Sequence, residues 1–146
     1  MAAAFADYDK HDALGLAALV RERAMKPEEL LDAAVARIER NNPQINAVIL
    51  KLYDRAWAAI ATGLPQGPFA GVPFLLKDLG QMLKGERLAM GSRLFADYVR
   101  GKDSTLTQRL EAAGLVIAGK TSTPAPSQRS AGSPAISRSR SSSARR

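Results

Sequence analysis

The sequence predicts an α/β fold on three observations. Short apolar runs at 45–52, 71–79 and 115–120 have the length and composition of strands. Stretches at 12–24, 27–40, 53–62 and 103–114 space their apolar residues as helices do. The chain has 146 residues and is 46% hydrophobic, enough for one domain with a real core. Helices alternating with strands give a sheet covered by helices.

The first helix, "DALGLAALVRERA", can be capped by Asp12, and Leu16, Leu19, Val20 and Arg23 recur at helical spacing. Gly15 weakens its first turn. The second, "PEELLDAAVARIER", is the clearest. Pro27 suits the first helical position, and Glu28 and Glu29 suit the positive end of the dipole. Leu31, Ala34, Val35 and Ile38 form its apolar face, and "NNP" at 41–43 is expected to stop it. These two helices are expected to pair. "INAVILKL" reads as a buried strand, and "YDRAWAAIAT" as a helix closed by Gly63, Pro65, Gly67 and Pro68. "GVPFLLKDL" reads as a strand with Pro73 near its start, where a missing N–H is tolerated. Residues 80–102 lack a period and read mostly as loop. "DSTLTQRLEAAG" is a short helix with Asp103 or Ser104 as cap, Leu106 and Leu110 facing inward, and Gly114 as stop. "LVIAGK" is the last strand.

From Pro124 the character changes. Residues 125–146 hold 8 serines, 5 arginines and no acid, with Ile136 as the one large apolar residue. Such a stretch cannot repay the entropy of ordering and is expected to be disordered. The net charge of +7 belongs mainly to it, because residues 1–124 carry 16 basic and 14 acidic side chains. The globular part is nearly neutral, which argues against nucleic acid as its partner. The absence of cysteine excludes disulfides, thiolate metal sites and cysteine nucleophiles, and fits a cytoplasmic setting. No stretch approaches the roughly 20 apolar residues a bilayer span needs. The opening 20 residues lack the basic start of a secretory signal and contain Asp7, Asp9 and Asp12.

Lys77 is the candidate functional residue, and it has two readings. A lysine at a strand end can pack its stem and leave its amine in water. A lysine carried into the interior loses part of its preference for the charged form and can serve as a base near neutral pH. Asp78 does not decide between them, since neighbouring side chains on a strand point to opposite faces. His11, the lone histidine, has no second metal ligand near it in sequence. "GLVIAGKT", 114–121, matches the phosphate-loop pattern formally. Its middle reads as strand, however, and Pro124 and Pro126 follow where a helix should begin. Neither a metal nor a cofactor is expected.

In order along the chain stand "PEEL", "NPQINAVI", "GPFAGVPFLLKDL", "GSRLF" and "DSTLTQRLEAAGLVIAGKTSTP". This collinear set, over roughly residues 10 to 124, resembles the amidase signature family, and looks most like the branch containing 6-aminohexanoate cyclic-dimer hydrolase. The resemblance implies the N-terminal portion of an α/β/α fold with a mixed sheet. It implies hydrolysis of a carboxamide bond of a small-molecule substrate by a Ser–cis-Ser–Lys triad without metal or cofactor, and it puts Lys77 at the lysine position. A neutral lysine takes a proton through the middle serine, the nucleophilic serine attacks the carbonyl, and glycine-rich backbone N–H groups hold the oxyanion. Family members place both serines downstream of "GKTSTP" in glycine-rich surroundings. "SAGS" at 130–133 and "SSS" at 141–143 lack those surroundings, so neither Ser133 nor Ser142 takes a serine's role. The expectation is a chain inactive by itself, with a frameshifted or truncated end from about residue 125. With most of the family's sheet missing, poor solubility or partial folding is also expected. Lys120 and Thr121 are read as merely ending a strand near the site. Two other classes remain open: a small basic binding module whose Arg/Ser tail contacts nucleic acid, and a remnant of an amidotransferase A-type subunit with partner subunits.

Overall fold

The computed structural model describes residues 5–123. The Arg/Ser stretch at 125–146, and with it the disorder and frameshift expectations, lies outside the described residues. A short 3-10 turn, Ala6–Lys10, precedes helix α1, Ala13–Arg21, which Asp12 caps through the Gly15 N–H at 2.7 Å. Helix α2 runs Pro27–Ile45, strand β1 Val48–Lys51, helix α3 Tyr53–Thr62 and strand β2 Pro73–Lys77. Helix α4, Thr105–Ala112, is capped by Ser104 and leads into strand β3, Val116–Thr121.

The sheet is mixed, in the order β1-β3-β2. β3 is central, antiparallel to β1 and parallel to β2. Alternation along β3 feeds two layers. Val116 and Ala118 pack with Leu31 of α2 and with Ala56 and Ile60 of α3. Ile117 packs with Leu76 of β2, Leu52 and Leu83, and Leu110 of α4 leans on the same cluster. A third cluster joins Leu16 and Ala17 of α1 to Leu30 of α2, Val72 and Leu115, so the first two helices do meet.

Three expectations need correction. "NNP" does not stop α2: Pro43 lies in its last turn, so the ring removes one late hydrogen bond rather than breaking the helix. The stop comes at Asn46, left-handed at φ 45°, while the Asn42 side chain holds both the N–H and the carbonyl of Val48 at 2.8 and 2.9 Å. β1 is not a buried strand, for it lies at the sheet edge with Ile49 and Lys51 exposed. Leu106 faces outward, and α4 buries Thr107 instead. The buried face of α2 is also wider than its periodicity suggests. Leu30 and Ala33 join Leu31 and Ala34, because the helix lies between the α1 cluster and the α3 cluster.

β3 carries a bulge that bears on the site. Phe74 pairs with Ile117, but Leu75 pairs with Gly119, so β3 has one residue more than β2 at that point. The register beyond it sets Lys120 opposite Leu76 and Thr121 opposite Lys77. Gly119 is required there: a Cβ would stand 2.6 Å from the Leu50 carbonyl oxygen.

Candidate active site

β2 ends on Lys77, and the side chain emerges into solvent. Its Nζ donates to the carbonyl of Ser122, just past the end of β3. Its backbone N–H donates to Oε1 of Gln81 in the turn that follows.

Asp78 points the other way and is 2% exposed. Its Oδ2 accepts the backbone N–H groups of Ala89 and Met90, each at 3.1 Å, and its Oδ1 lies 3.4 Å from Nζ of Lys120. Lys120 is fully buried and also donates to the carbonyl of Arg87. Its side chain does more than end a strand, which corrects the sequence reading. The bulge at Gly119 is the cause, since the register it sets puts Lys120 opposite inward-facing Leu76. The segment 87–90 is held from its other side by Leu88, whose N–H donates to the Tyr98 carbonyl at 2.9 Å. It ends at Met90 and Gly91, left-handed at φ 52° and 69°. Ile49, Leu50, Asp78, Arg87, Ala89 and Ala96 line an open pocket of about 90 Å³ beside Asp78.

Sequence reasoning singles out Lys77 and does not reach this pair. The usable signal was two opposite charges, Asp78 and Lys120, each closing an apolar run of strand character. The parallel strands β2 and β3 bring those ends together. His11 is exposed and stacks on Phe5 with ring centroids 5.8 Å apart. Among the described residues, no group of three or more His, Cys, Asp or Glu is placed to hold a metal ion. No described helix is long and apolar enough to cross a membrane. The phosphate-loop pattern begins just past α4 and takes in the whole of β3, so its residues form strand rather than a phosphate-cradling loop.

A family model described as Amidase matches residues 29–138. The chain belongs to the amidase family. Among relatives, it is 44% identical over 120 residues to a lipoamidase of Enterococcus faecalis, covering 82% of this chain and 17% of that protein. It is 41% identical over 115 residues to 6-aminohexanoate-cyclic-dimer hydrolase of Paenarthrobacter ureafaciens, covering 77% of this chain and 23% of that one. A solved structure of 6-aminohexanoate cyclic dimer hydrolase complexed with substrate superimposes with a TM-score of 0.73 at 40% identity, covering 78% of this chain and 24% of that one. The chain thus spans about a sixth to a quarter of the length of these amidase relatives. The α/β architecture with a mixed sheet, expected from the resemblance, is the one found.

Proposed function

We propose that this chain carries the proton-accepting lysine of an amide hydrolase, and that the lysine is Lys77. The observation that supports this most strongly is positional. In a chain of the amidase family, Lys77 closes β2 within the motif "GVPFLLKDL", with its exposed amine resting on the Ser122 carbonyl at the ends of β2 and β3.

The reaction is hydrolysis of a carboxamide bond of a small molecule. The cyclic-dimer hydrolase among the relatives makes a cyclic or linear amide of 6-aminohexanoate the first substrate to try. Lys77 in its neutral form takes the proton of a serine hydroxyl, relayed through a second serine. The resulting alkoxide attacks the carbonyl, and water releases the acyl group. The segment bearing the serines has to bring its middle serine within hydrogen-bond reach of the Lys77 amine. This chain supplies the lysine and the wall behind it, and it is inactive until that segment is present.

An assay of the 146-residue chain on simple acyl amides and on the 6-aminohexanoate cyclic dimer tests the reading. The chain alone gives no turnover. Turnover by the chain that persists after Lys77→Ala contradicts the assignment of the site.

A further inference from the structure

A buried ion pair needs an explanation that stability alone does not provide. Well-packed apolar residues in its place are often as stabilising or more so. Here both partners are withdrawn from water, with side chains 0% and 3% exposed for Lys120 and Asp78. The polar contacts of their side chains run to each other or to the segment 87–90. The pair thus ties three things together: the end of β2, the end of β3, and a turn that closes on a left-handed Met90. A left-handed methionine is sparsely populated and persists only where its surroundings hold it.

The position of this knot relative to Lys77 gives it a purpose. Lys77 immediately precedes Asp78, and Ser122 lies two residues past Lys120. The Asp78 N–H donates to the Thr121 carbonyl at 3.0 Å, between the two. On the far side of the same strand ends, the Lys77 amine rests on the Ser122 carbonyl. Lys77↔Thr121 is the last pair of the β2–β3 ladder, so with the knot removed only fraying strand ends would hold that contact.

We propose that Asp78 and Lys120 are positioning residues for Lys77: their buried pair, closed over by residues 87–90, fixes both strand ends so that the amine is held at the Ser122 carbonyl. The proposal rests on the reading of Lys77 as the base, since it names what aims that base.

The test needs no substrate, so its outcome is separate from that of the hydrolysis assay. The chain, at low micromolar concentration, is acylated briefly with an activated ester, and peptide mass spectrometry gives the modification rate of Lys77 relative to exposed Lys102. In the unaltered chain Lys77 reacts more slowly than Lys102. In the double variant Asp78→Asn/Lys120→Met, which leaves no unpaired buried charge, the Lys77/Lys102 ratio rises about fivefold, the occupancy change that one net hydrogen bond produces. Leu31→Ala, a core cavity in the α2–α3 cluster, destabilises the chain without moving the ratio. Equal reactivity of Lys77 and Lys102 in the unaltered chain overturns the proposal. So does an unchanged ratio in the double variant, or an equal rise in Leu31→Ala. Should the double variant not fold, amide exchange in the unaltered chain decides. The N–H groups of Ala89 and Met90 exchange far more slowly than that of exposed Gly101, and exchange as fast as Gly101 overturns it.

Discussion

Lys120 is the largest of the fully buried side chains, and it carries a charge. Removing one member of a buried pair leaves the other charged and unpaired, which costs about 3–5 kcal/mol. Lys120→Ala therefore lowers the unfolding free energy by about that amount, read as a shift of the urea midpoint. Lys120→Met combined with Asp78→Asn loses much less, because no lone charge is stranded. Gly119 sets the same geometry by another route. Its Cβ-to-be meets the Leu50 carbonyl oxygen at 2.6 Å, a backbone atom that cannot swing aside. Gly119→Ala is expected to cost about 1–3 kcal/mol of stability in the same measurement, as overpacking of a filled interior does. These two residues also mark a limit of sequence reading. Lys77 at the end of "GVPFLLKDL" was legible, because an apolar strand and its polar exit are local. The face that Lys120 takes, and so its meeting with Asp78, depends on a one-residue bulge against a strand more than forty positions away, and alternation within "LVIAGK" does not record it.

At the level of the elements, sequence and structure agree where local chemistry decides and part where tertiary contacts do. α1 starts at its Asp12 cap, α4 at its Ser104 cap, and Gly114 ends α4 at φ 91°. The end of α2 departs from the expected stop because Asn42, within "NNP", finds its partners on Val48 across the turn. That long C-terminal half of α2 meets the β1–α3 junction through Glu39. Its carboxylate accepts from Lys51 at 2.8 Å and from the Tyr53 hydroxyl at 2.7 Å. The hydrogen bond from Lys51, then that from Tyr53, hold the Glu39 carboxyl below its ordinary value. A depressed carboxyl stabilises the fold above its unfolded pKa, and that contribution is lost as pH falls through the folded value. The difference in thermal midpoint between the unaltered chain and Glu39→Gln is accordingly full at neutral pH and shrinks as pH drops below about 4. Burial first, and then the Glu39 hydrogen bond, push the Tyr53 hydroxyl up. Tyr8 is raised by burial as well, so phenolate absorbance is expected to show late titration above about pH 10 that is reduced, not abolished, in Tyr53→Phe.

The described residues form a three-stranded mixed sheet with helices α2 and α3 on one face, and α4 with Leu83 of the segment after β2 on the other. Both outer strands, β1 and β2, have one free edge among the described residues, and β1 turns Ile49 outward. Free edges pair with other chains. Concentration-dependent association of the 146-residue chain in sedimentation velocity is the expected behaviour, and a monomer with cooperative unfolding at all concentrations would contradict it. The same free edges fit a chain that spans about a quarter of a related hydrolase. They also lead to the decisive measurement. Residues 5–123 can replace the matching stretch of 6-aminohexanoate-cyclic-dimer hydrolase, and turnover of the cyclic dimer can then be compared with Lys77 present and with Lys77→Ala. If Lys77 is the base, the chimera turns over the dimer and the alanine variant loses about a thousandfold, as removal of a general base does. Similar turnover with lysine and alanine, or a folded chimera that keeps Lys77 and hydrolyses nothing, would contradict it.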